Sequence, residues 1–324
     1  MERILVTGGA GFIGSNLTDA LIAKGFDVVV LDNFSTGKRE NLAHLTGNPR
    51  FTLIEGDIRN MDDCRKAVEN VSAVFHEAAL GSVPRSIKTP ELTTAVNVGG
   101  FVNMLTAAKD AGVKRFIYAP SSSVYGDCTD SPKVESRTGT PLSPYALTKS
   151  VNEQFAMNFS QVYGMECIGL RYFNVFGRRQ DPNGAYAAVI PKFSAALLTH
   201  TAPVINGDGS YSRDFTYIDD VVQANIRALN TGNADAVNTV YNVACGDETT
   251  LNELFAYLKA ELSRFDRDIS QIEAEHGPVR AGDIPHSKAD ISRISALLGY
   301  KPEYSVQTGL QQTAKWYFEN LTAK

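Results

Sequence analysis

The sequence is poor in the residues that build metal centres and disulfide frameworks. Four cysteines and five histidines occur among 324 residues. The cysteines (Cys64, Cys128, Cys167 and Cys245) stand singly, and no histidine clusters with them at the spacing of a metal-binding motif. We therefore expect neither a disulfide framework nor a metal site.

An excess of positive charge and long apolar runs are also missing. Acidic residues outnumber lysine and arginine by 36 to 31, for a formal net charge of −5, which gives no general attraction to nucleic acid or anionic membranes. No apolar run approaches the roughly 20 residues of a membrane-spanning helix, and the first residues lead into a strand pattern without a signal region. We expect no nucleic-acid or membrane partner and a cytoplasmic location.

The chain instead has short apolar segments that alternate with helical patterns. These segments cover residues 4–6, 28–31, 51–54, 73–75 and 116–118. Strands that alternate with helices predict a parallel, doubly wound α/β sheet, whose ligands bind at the carboxyl ends of the strands. The regular alternation stops after Gly177, where a polar, turn-rich stretch follows. We expect a smaller C-terminal α/β part to begin there.

A glycine-rich turn joins the first apolar segment to the first helical pattern. Glycines at positions 8, 11 and 14 permit a tight turn, close approach of the backbone to a pyrophosphate, and close packing of helix on strand. The second segment ends in Asp32, whose carboxylate suits ribose hydroxyls and repels a 2′-phosphate. Together these features predict a Rossmann-type domain that binds NAD rather than NADP.

Tyr145 and Lys149 stand four residues apart in a segment with helical spacing, so both side chains leave one face of the helix. A phenol has a pKa of about 10, and an adjacent ammonium favours the phenolate. Tyr145 is therefore a candidate general base for a hydroxyl proton, and the serine run at 121–123 is a candidate active-site hydroxyl. The same spacing also occurs on solvated helices, and a serine run also suits a capping turn.

These motifs resemble the extended short-chain dehydrogenase/reductase family through essentially the whole chain. Further matches that carry the resemblance are Asp57, Ile58, Ala78, Ala79 and Asn97. In that family a serine and a tyrosine hydrogen-bond the reacting hydroxyl, while a lysine binds the nicotinamide ribose and lowers the tyrosine pKa. The resemblance implies an NAD-dependent enzyme with these three roles on Ser121, Tyr145 and Lys149.

The resemblance also implies which residues contact the cofactor. They come from the glycine turn, from the ends of the following strands and from the tyrosine segment. The residues expected to bind NAD are Gly8, Gly11, Phe12, Ile13, Asp32, Asn33, Ser35, Thr36, Gly37, Asp57, Ile58, Ala78, Ala79, Asn97, Tyr145, Lys149 and Tyr172.

The two residues after Ser121 separate the branches of this family. Sugar-nucleotide dehydratases carry Asp-Glu there, and UDP-glucuronate decarboxylases carry Glu at the second position. This chain has Ser122 and Ser123, which do not exchange a proton near neutral pH as a carboxyl does. The resemblance therefore favours epimerisation, in which a sugar 4-hydroxyl is oxidised and then reduced through a 4-keto intermediate.

Segments of the C-terminal half resemble the UDP-binding segments of nucleotide-sugar enzymes. Arg213 and Arg280 stand in two of them, and a planar guanidinium binds diphosphate oxygens in bidentate fashion. Asn174 resembles the amide that orients the substrate. The residues expected to bind the UDP-sugar are Gly81, Ser82, Val83, Arg85, Ser86, Ser121, Ser122, Ser123, Tyr145, Asn174, Ala188, Val189, Asn206, Arg213, Arg280, Asp283 and Ser287.

Two features bear on the identity of the sugar. Residues 81–86 match a segment that lines the sugar pocket in the UDP-N-acetylglucosamine 4-epimerase branch, although an ordinary loop is the alternative interpretation. At the position of Ser287, epimerases restricted to non-acetylated sugars carry a bulky residue, so a serine leaves room for an acetamido group. Extra room alone rejects the smaller sugar only weakly. We expect interconversion of UDP-GlcNAc and UDP-GalNAc with bound NAD+.

Other functions stay open at this point. A UDP-glucose or UDP-glucuronate 4-epimerase fits the same motifs, and Arg85 as a partner for a carboxylate supports the second. A net dehydrogenase or reductase would change free NADH. A non-catalytic NAD-binding regulator is also compatible with the fold, because fold does not fix function. Ser122 and Ser123 disfavour a dehydratase or a decarboxylase.

Two expectations concern the organisation of the protein. Residues 1–177 are expected to form mainly the NAD-binding domain and residues 178–324 mainly the UDP-sugar-binding domain, with the chain crossing between them more than once. The apolar helical patterns at 92–111 and 145–163 resemble the pair that forms a four-helix dimer interface in this family. We therefore expect a homodimer, the alternative being that both helices pack only on their own sheet.

Overall fold

A parallel sheet of seven strands forms the centre of the protein. The computed structural model describes residues 2–182, 188–279 and 284–321. The strands in chain order are β1 (Arg3–Thr7), β2 (Asp27–Asp32), β3 (Phe51–Glu55), β4 (Ala73–His76), β5 (Arg115–Tyr118), β6 (Glu166–Tyr172), β7 (Val175–Phe176), β8 (Val204–Asn206), β9 (Ser212–Arg213), β10 (Thr216–Tyr217), β11 (Thr239–Val243), β12 (Thr249–Thr250), β13 (Glu275–Gly277) and β14 (His286–Ser287). The central sheet has the order β11-β6-β5-β4-β1-β2-β3 with every neighbouring pair parallel. The predicted Rossmann-type sheet is confirmed.

Helices cover both faces of this sheet. They are α1 (Phe12–Ala23), α2 (Met61–Ala67), α3 (Val83–Lys88), α4 (Pro90–Thr94), α5 (Phe101–Asp110), α6 (Pro144–Tyr163), α7 (Val189–Leu198), α8 (Ile218–Asn230), α9 (Leu251–Leu262), α10 (Ser292–Leu298) and α11 (Val306–Leu321). Ile4 and Val6 of β1 face one hydrophobic core and Leu5 faces the other. Burial on both faces explains why the strands appear in the sequence as short continuous apolar runs. Within the described residues, no helix is both long and apolar enough to cross a membrane.

The sheet takes its last strand from the C-terminal half. After β6 the chain forms β7, α7 and the short strands β8, β9 and β10 before it reaches α8 and β11, which pairs in parallel with β6. The regular alternation therefore stops near Gly177, but one more strand of the central sheet follows later in the chain. The strand is hard to recognise because polar Thr239 and Asn242 interrupt its apolar pattern. Asn242 is nevertheless fully buried.

Asp214 ties the C-terminal part to the edge of the sheet. Its carboxylate accepts backbone N–H groups of Cys245 at 2.9 Å and Gly246 at 3.0 Å, just after β11, and of Ala289 at 3.2 Å, just after β14. Burial raises the pKa of Asp214 to about 7, although the three N–H groups oppose this shift. One side chain thus holds together three segments that are distant in the sequence.

The helical pattern predicted at 92–111 is interrupted. Between α4 and α5 a π-helical turn covers Ala95–Gly100. Asn97 points inward from this turn, where its Oδ1 accepts the N–H of Leu80 at 2.8 Å and its Nδ2 donates to Thr148 Oγ1 at 3.2 Å. π-helical turns are frequent at functional sites. Through Asn97, the π-helical turn links the backbone after β4 to α6.

His76, the last residue of β4, is buried without charge. Thr7 Oγ1 accepts the N–H of Ala78 at 3.3 Å and is hydrogen-bonded to His76 Nδ1 at 3.1 Å. His76 Nε2 is buried without a hydrogen-bond partner among the described residues. Burial, and to a smaller degree the charge of Lys149, lowers the pKa of His76 to about 3.

Acidification is expected to weaken the fold through His76. The unfolded chain binds a proton below the ordinary histidine pKa of about 6.5, whereas the folded chain does so only near pH 3. The stabilising contribution is therefore complete above the unfolded pKa and is lost as the pH falls below it. His76→Gln keeps an acceptor for Thr7 but does not titrate. Between about pH 7 and about pH 5, its free energy of unfolding should fall by about 1–2 kcal/mol less than that of the wild type.

Urea unfolding of both proteins at the two pH values measures this difference. All other titrating groups are common to wild type and variant, so their effects cancel in the comparison. Equal losses in the two proteins would contradict the prediction.

Candidate active site

The carboxyl ends of the central strands open into one cleft. The cleft encloses about 430 Å³ and receives residues from the glycine turn, the strand ends and α6. The predicted site residues that line it are Gly8, Gly11, Phe12, Ile13, Asp32, Asn33, Ser35, Thr36, Asp57, Ile58, Ala78, Ala79, Gly81, Ser121, Tyr145, Lys149 and Tyr172. The structure thus brings together motifs that lie far apart in the sequence.

The glycine turn leaves no room for side chains where β1 meets α1. Gly8 has a φ of +68°, and its N–H donates to the carbonyl oxygen of Leu31 at 2.8 Å. A Cβ on Gly8 would lie 2.7 Å from backbone atoms of Ala78, and one on Gly14 would lie 2.3 Å from the Gly8 carbonyl oxygen. Within the described residues no side chain caps the start of α1, so its first N–H groups are available to a pyrophosphate in the cleft.

Asp32 presents its carboxylate at the end of β2. Oδ2 accepts the N–H of Ala10 and Oδ1 accepts the N–H of Phe34, both at 2.8 Å. Burial raises the pKa of Asp32, and the two N–H groups oppose that shift. Gly37 lies alongside, where a Cβ would be 3.0 Å from Oδ1. Since each carboxylate oxygen has a further lone pair, the two oxygens fit the two hydroxyls of a ribose.

Asn33 and Asp57 form a polar wall at the ends of β2 and β3. Asn33 Nδ2 donates to Asp57 Oδ2 at 2.9 Å, and Asn33 Oδ1 accepts the N–H of Ser35 at 3.0 Å. Hydrogen bonds from Arg59 lower the pKa of Asp57 to about 2. Asp57 is therefore ionised at neutral pH, and the wall offers fixed acceptors to the nucleoside end of a dinucleotide.

The start of α6 aims two side chains into the cleft. Ser143 caps the helix by accepting the N–H of Ala146 at 3.1 Å, and Pro144 occupies its first turn. Tyr145 and Lys149 follow one turn apart on the same face. The local capping residues therefore decide where the helix begins, and with it the depth at which both side chains enter the cleft.

Ser121, Tyr145 and Lys149 meet in the cleft as predicted. Ser121 is close enough to the Tyr145 hydroxyl for its side chain to lower the pKa of the tyrosine. Lys149 Nζ lies 6.0 Å from the centre of the Tyr145 ring and donates to the carbonyl oxygen of Ala119 at 2.6 Å. Ser121 Oγ also accepts the N–H of Ser123 at 3.2 Å. The serine therefore caps a turn and faces the tyrosine at the same time.

Burial opposes the predicted phenolate. It raises the pKa of Tyr145, and the hydrogen bond with Ser121 offsets only part of that rise. Burial also lowers the pKa of Lys149 to about 8. The sequence analysis expected Lys149 to bring the tyrosine pKa down, and the shift in the structure has the opposite sign. The reason is that desolvation of the phenol outweighs the hydrogen bond with Ser121, while the ammonium of Lys149 donates to the carbonyl oxygen of Ala119.

A second cavity of about 720 Å³ adjoins α3. Ala188, Val189 and Asn206, all predicted to bind the substrate, line this cavity. Residues 81–84 border both spaces, since Gly81 lines the cleft and Val83 lines the second cavity. Predicted substrate residues from three parts of the chain therefore line one cavity, which shares the segment 81–84 with the catalytic cleft.

Arg213 and Ser287 are neighbours across two short strands. β9 and β14 pair in parallel with Ser287 opposite Arg213. The Arg213 guanidinium donates to the carbonyl oxygens of Ser212 at 2.8 Å and of Pro285 at 3.3 Å. The two predicted substrate residues thus belong to one local structure. Arg280 and Asp283 lie outside the residues that the structure describes.

Ser82, Ser86 and Asn97 use their side chains inside the protein. Ser82 Oγ caps α3 by accepting the N–H of Arg85 at 3.2 Å, and Ser86 Oγ donates to the carbonyl oxygen of Val83 at 2.7 Å. Asn97 is only 2% exposed and supports the Leu80 backbone from behind the cleft wall. Direct contact of these three residues with a ligand stays a prediction.

Asn174 and Ser123, both predicted to bind the substrate, differ in their hydrogen bonding. Asn174 has a φ of +35° and donates through Nδ2 to the carbonyl oxygen of Asp214 at 2.9 Å. Ser123 Oγ is buried with no hydrogen-bond partner in the described part of the chain. Ser122 begins the short 3-10 helix Ser122–Tyr125. A buried hydroxyl without a partner is a candidate for a bond to a ligand.

Comparison with known protein families accounts for most of the chain. Residues 4–244 match the NAD dependent epimerase/dehydratase family. The chain belongs to this family. The predicted resemblance is therefore confirmed, as are an enzymatic role and NAD as the cofactor of the family.

Individual relatives of this epimerase/dehydratase family member match over nearly their full length. A putative UDP-glucose 4-epimerase of Methanocaldococcus jannaschii is 37% identical over 319 residues, which cover 98% of this chain and 99% of the relative. The solved UDP-N-acetylglucosamine 4-epimerase of Methanobrevibacter ruminantium M1, in complex with UDP-N-acetylmuramic acid, is 40% identical with a TM-score of 0.91 and covers 98% of both chains. The UDP-glucuronic acid 4-epimerase of Bacillus cereus, solved with UDP-glucuronic acid and NAD, is 31% identical with a TM-score of 0.88, covering 98% of this chain and 99% of the other. These relatives share a 4-epimerase name and differ in the sugar.

Three polar residues at the two cavities of this family member were not predicted from the sequence. Glu77 and Gln180 line the cleft, and Lys192 lines the second cavity. Glu77 directly follows a strand end, where ligand contacts are expected. Lys192 stands one helical turn after Val189, which places both on one helix face. Gln180 lies in the polar connector, where no spacing rule points to it.

Proposed function

We propose that this member of the family interconverts UDP-GlcNAc and UDP-GalNAc by epimerisation at C4. The relatives named above share 4-epimerisation of a UDP-sugar. The observation that carries the proposal is that residues 81–84 border both the catalytic cleft and the second cavity. A UDP-sugar whose nucleotide occupies the second cavity would therefore present its hexose to Ser121 and Tyr145.

The cleft supplies the groups needed for reversible oxidation of a sugar hydroxyl. Ser121 holds the 4-hydroxyl, while Tyr145 removes its proton and later returns it. Lys149 supplies a positive charge on the same helix face. When bound, NAD+ accepts a hydride and gives it back. Because the hydride returns to the sugar, no cofactor is consumed.

Inversion at C4 requires the hexose to turn over while the nucleotide stays fixed. Lys192 lines the second cavity, and with Arg213 it provides positive charge for the diphosphate. Val189 and Val279 line the same cavity with apolar surface, which suits the uracil ring. With the UDP held in this way, the sugar rotates about its bond to the diphosphate and receives the hydride on its other face.

Ser287 sets the room for the N-acetyl group in this proposal. It faces Arg213 across β9 and β14, and its small side chain leaves volume that a tyrosine would fill. Steric exclusion discriminates strongly between sugars, whereas extra room rejects a smaller sugar only weakly. We therefore expect acceptance of both UDP-GlcNAc and UDP-glucose, with preference for the acetylated sugar depending on residues 81–86.

UDP-glucuronate is the second candidate substrate, because of Arg85. This arginine lies on α3, and its guanidinium makes no hydrogen bond or ion pair to the rest of the described chain. A sugar carboxylate would give it a charge-assisted partner.

The cytoplasmic location stays a prediction from the sequence.

Proton NMR of the purified protein with UDP-GlcNAc, without added cofactor, tests the proposed activity. UDP-GalNAc should appear to a constant ratio while the near-ultraviolet absorbance shows no accumulating NADH. Tyr145→Phe should lower turnover by at least about 100-fold without loss of folding or cofactor.

Tyr163→Phe, at the exposed end of the same helix, is the matched control and should retain turnover. Near-normal rates in Tyr145→Phe would overturn the catalytic assignment. Conversion of UDP-glucuronate or UDP-glucose alone would preserve the mechanism and reject the argument about the sugar pocket.

Ser287→Tyr is expected to narrow the substrate range. The added ring should fill the space for the acetamido group and lower kcat/KM for UDP-GlcNAc by at least about tenfold. UDP-glucose turnover should change much less and serves as the internal control. Parallel loss of both activities would mean that position 287 does not discriminate between the sugars.

We also propose a homodimer built on the outer faces of α4 and α6, which lie side by side. Leu92 on α4 is 39% exposed, and Leu147 and Val162 on α6 are 54% and 60% exposed. Clustered exposed apolar side chains mark interaction surfaces. Two copies of this pair would bury these side chains in a four-helix interface.

Light scattering during size-exclusion chromatography should give twice the mass of the chain for the wild type. Leu147→Glu combined with Val162→Glu should give the monomer mass, because burying two carboxylates in an apolar interface is unfavourable. A monomeric wild type would contradict the dimer, and a variant that stays dimeric would mean that another surface is used.

A further inference from the structure

Glu77 is an ionisable side chain in the catalytic cleft that has no role in the proposed reaction. It follows β4 directly, and its N–H donates to the carbonyl oxygen of Thr7 at 3.2 Å. Its side chain lines the cleft together with Ser121, Tyr145 and Lys149. A carboxyl group at this depth requires compensation, because desolvation disfavours its charged form.

A chain of hydrogen bonds fixes the Glu77 carboxyl group. Tyr172 Oη donates to Glu77 Oε1 at 2.8 Å, and Asn225 Nδ2 donates to Tyr172 Oη at 2.9 Å. The longer contact from Tyr172 Oη to Asn225 Oδ1, at 3.3 Å, competes less well for the single tyrosine proton. Glu77 is thus placed as a hydrogen-bond acceptor, which favours its carboxylate form.

Lys149 lines the same cleft as this carboxylate and supplies a positive charge there. Burial raises the pKa of Glu77 to about 7, and the hydrogen bond from Tyr172 and the charge of Lys149 oppose the rise. Burial lowers the pKa of Lys149 to about 8, and the charge of Glu77 opposes that fall. Each group therefore favours the charged form of the other.

The other groups around this pair do not replace Glu77. On β4, His76 is neutral, and its low pKa follows from burial and from the charge of Lys149. On α6, the pKa of Tyr145 follows from burial and from the bond with Ser121. Glu77 thus acts on the lysine without a comparable direct effect on the tyrosine.

We propose that Glu77 is a positioning residue that keeps Lys149 in its ammonium form within the cleft, so that a cation stands near Tyr145 when the substrate proton is removed. The inference rests on the proposed roles of Tyr145 and Lys149. Without the carboxylate, the buried lysine loses its proton at a lower pH, and the phenolate then has no positive neighbour on α6.

Glu77→Gln tests the proposal because it removes the charge and keeps the shape and a hydrogen-bond acceptor. The pKa of Lys149 is measured in protein labelled with ¹³C at lysine Cε, with Lys149→Arg used to assign the signal. We expect the variant to lower this pKa by at least about one unit. The alkaline limb of the kcat/KM profile should move to lower pH by the same amount, so that the loss of activity is about tenfold larger at alkaline pH than near neutrality.

Tyr172→Phe keeps Glu77 but removes the hydrogen bond that favours its carboxylate form. It should therefore lower the pKa of Lys149 in the same direction as Glu77→Gln, but by less. Glu77→Asp keeps the charge at a greater distance and should lower the lysine pKa by less than Glu77→Gln, which covers the case in which Glu77→Gln does not fold.

An unmoved Lys149 pKa in Glu77→Gln would overturn the inference and assign Glu77 a purely structural role. The proposed function fails in a different experiment, namely if Tyr145→Phe retains near-normal turnover. The lysine titration does not depend on that outcome, so the two failures are distinguishable.

Discussion

The loss of water around ionisable groups at one edge of the sheet is the constraint on which the site depends. The parallel strands, with helices on both faces, and the start of α6 bring four ionisable side chains to the same edge of the sheet. They are His76, Glu77, Tyr145 and Lys149. Desolvation disfavours the charged form of each, and this is visible in the low pKa of His76 and the raised pKa of Tyr145. The chemistry of the cleft is therefore decided by which neighbours compensate each buried charge.

Features that depend on short spacing could be predicted from the sequence. The glycine turn, Asp32 at a strand end, and Tyr145 with Lys149 on one helix face each obey a local geometric rule. The sheet and the catalytic cluster followed from those rules and from the family resemblance. Spacing contains no information on burial, however, so the sign of the tyrosine pKa shift was predicted wrongly.

Hydrogen bonds between residues distant in the sequence explain most of the features that could not be predicted. In β11, buried Asn242 donates its backbone N–H to Glu135 Oε1 at 2.9 Å, across more than a hundred residues of chain. Glu77 likewise finds its hydrogen-bond donor in the distant Tyr172. Polar residues of this kind look like surface positions until their partners are known. The sugar is a related case, because relatives with the same fold carry the names of different substrates.

The position of β11 in the sequence also determines when the central sheet can be completed during synthesis. A ribosome that has released residues up to 177 has delivered the glycine turn and the catalytic helix, but neither α8 nor the strand that pairs with β6. Until residue 243 emerges, β6 is an open edge with unpaired backbone groups. The seven-stranded sheet is therefore completed only after the elements between β6 and β11 are made. An open strand edge that persists through that interval is a site where a nascent chain can aggregate.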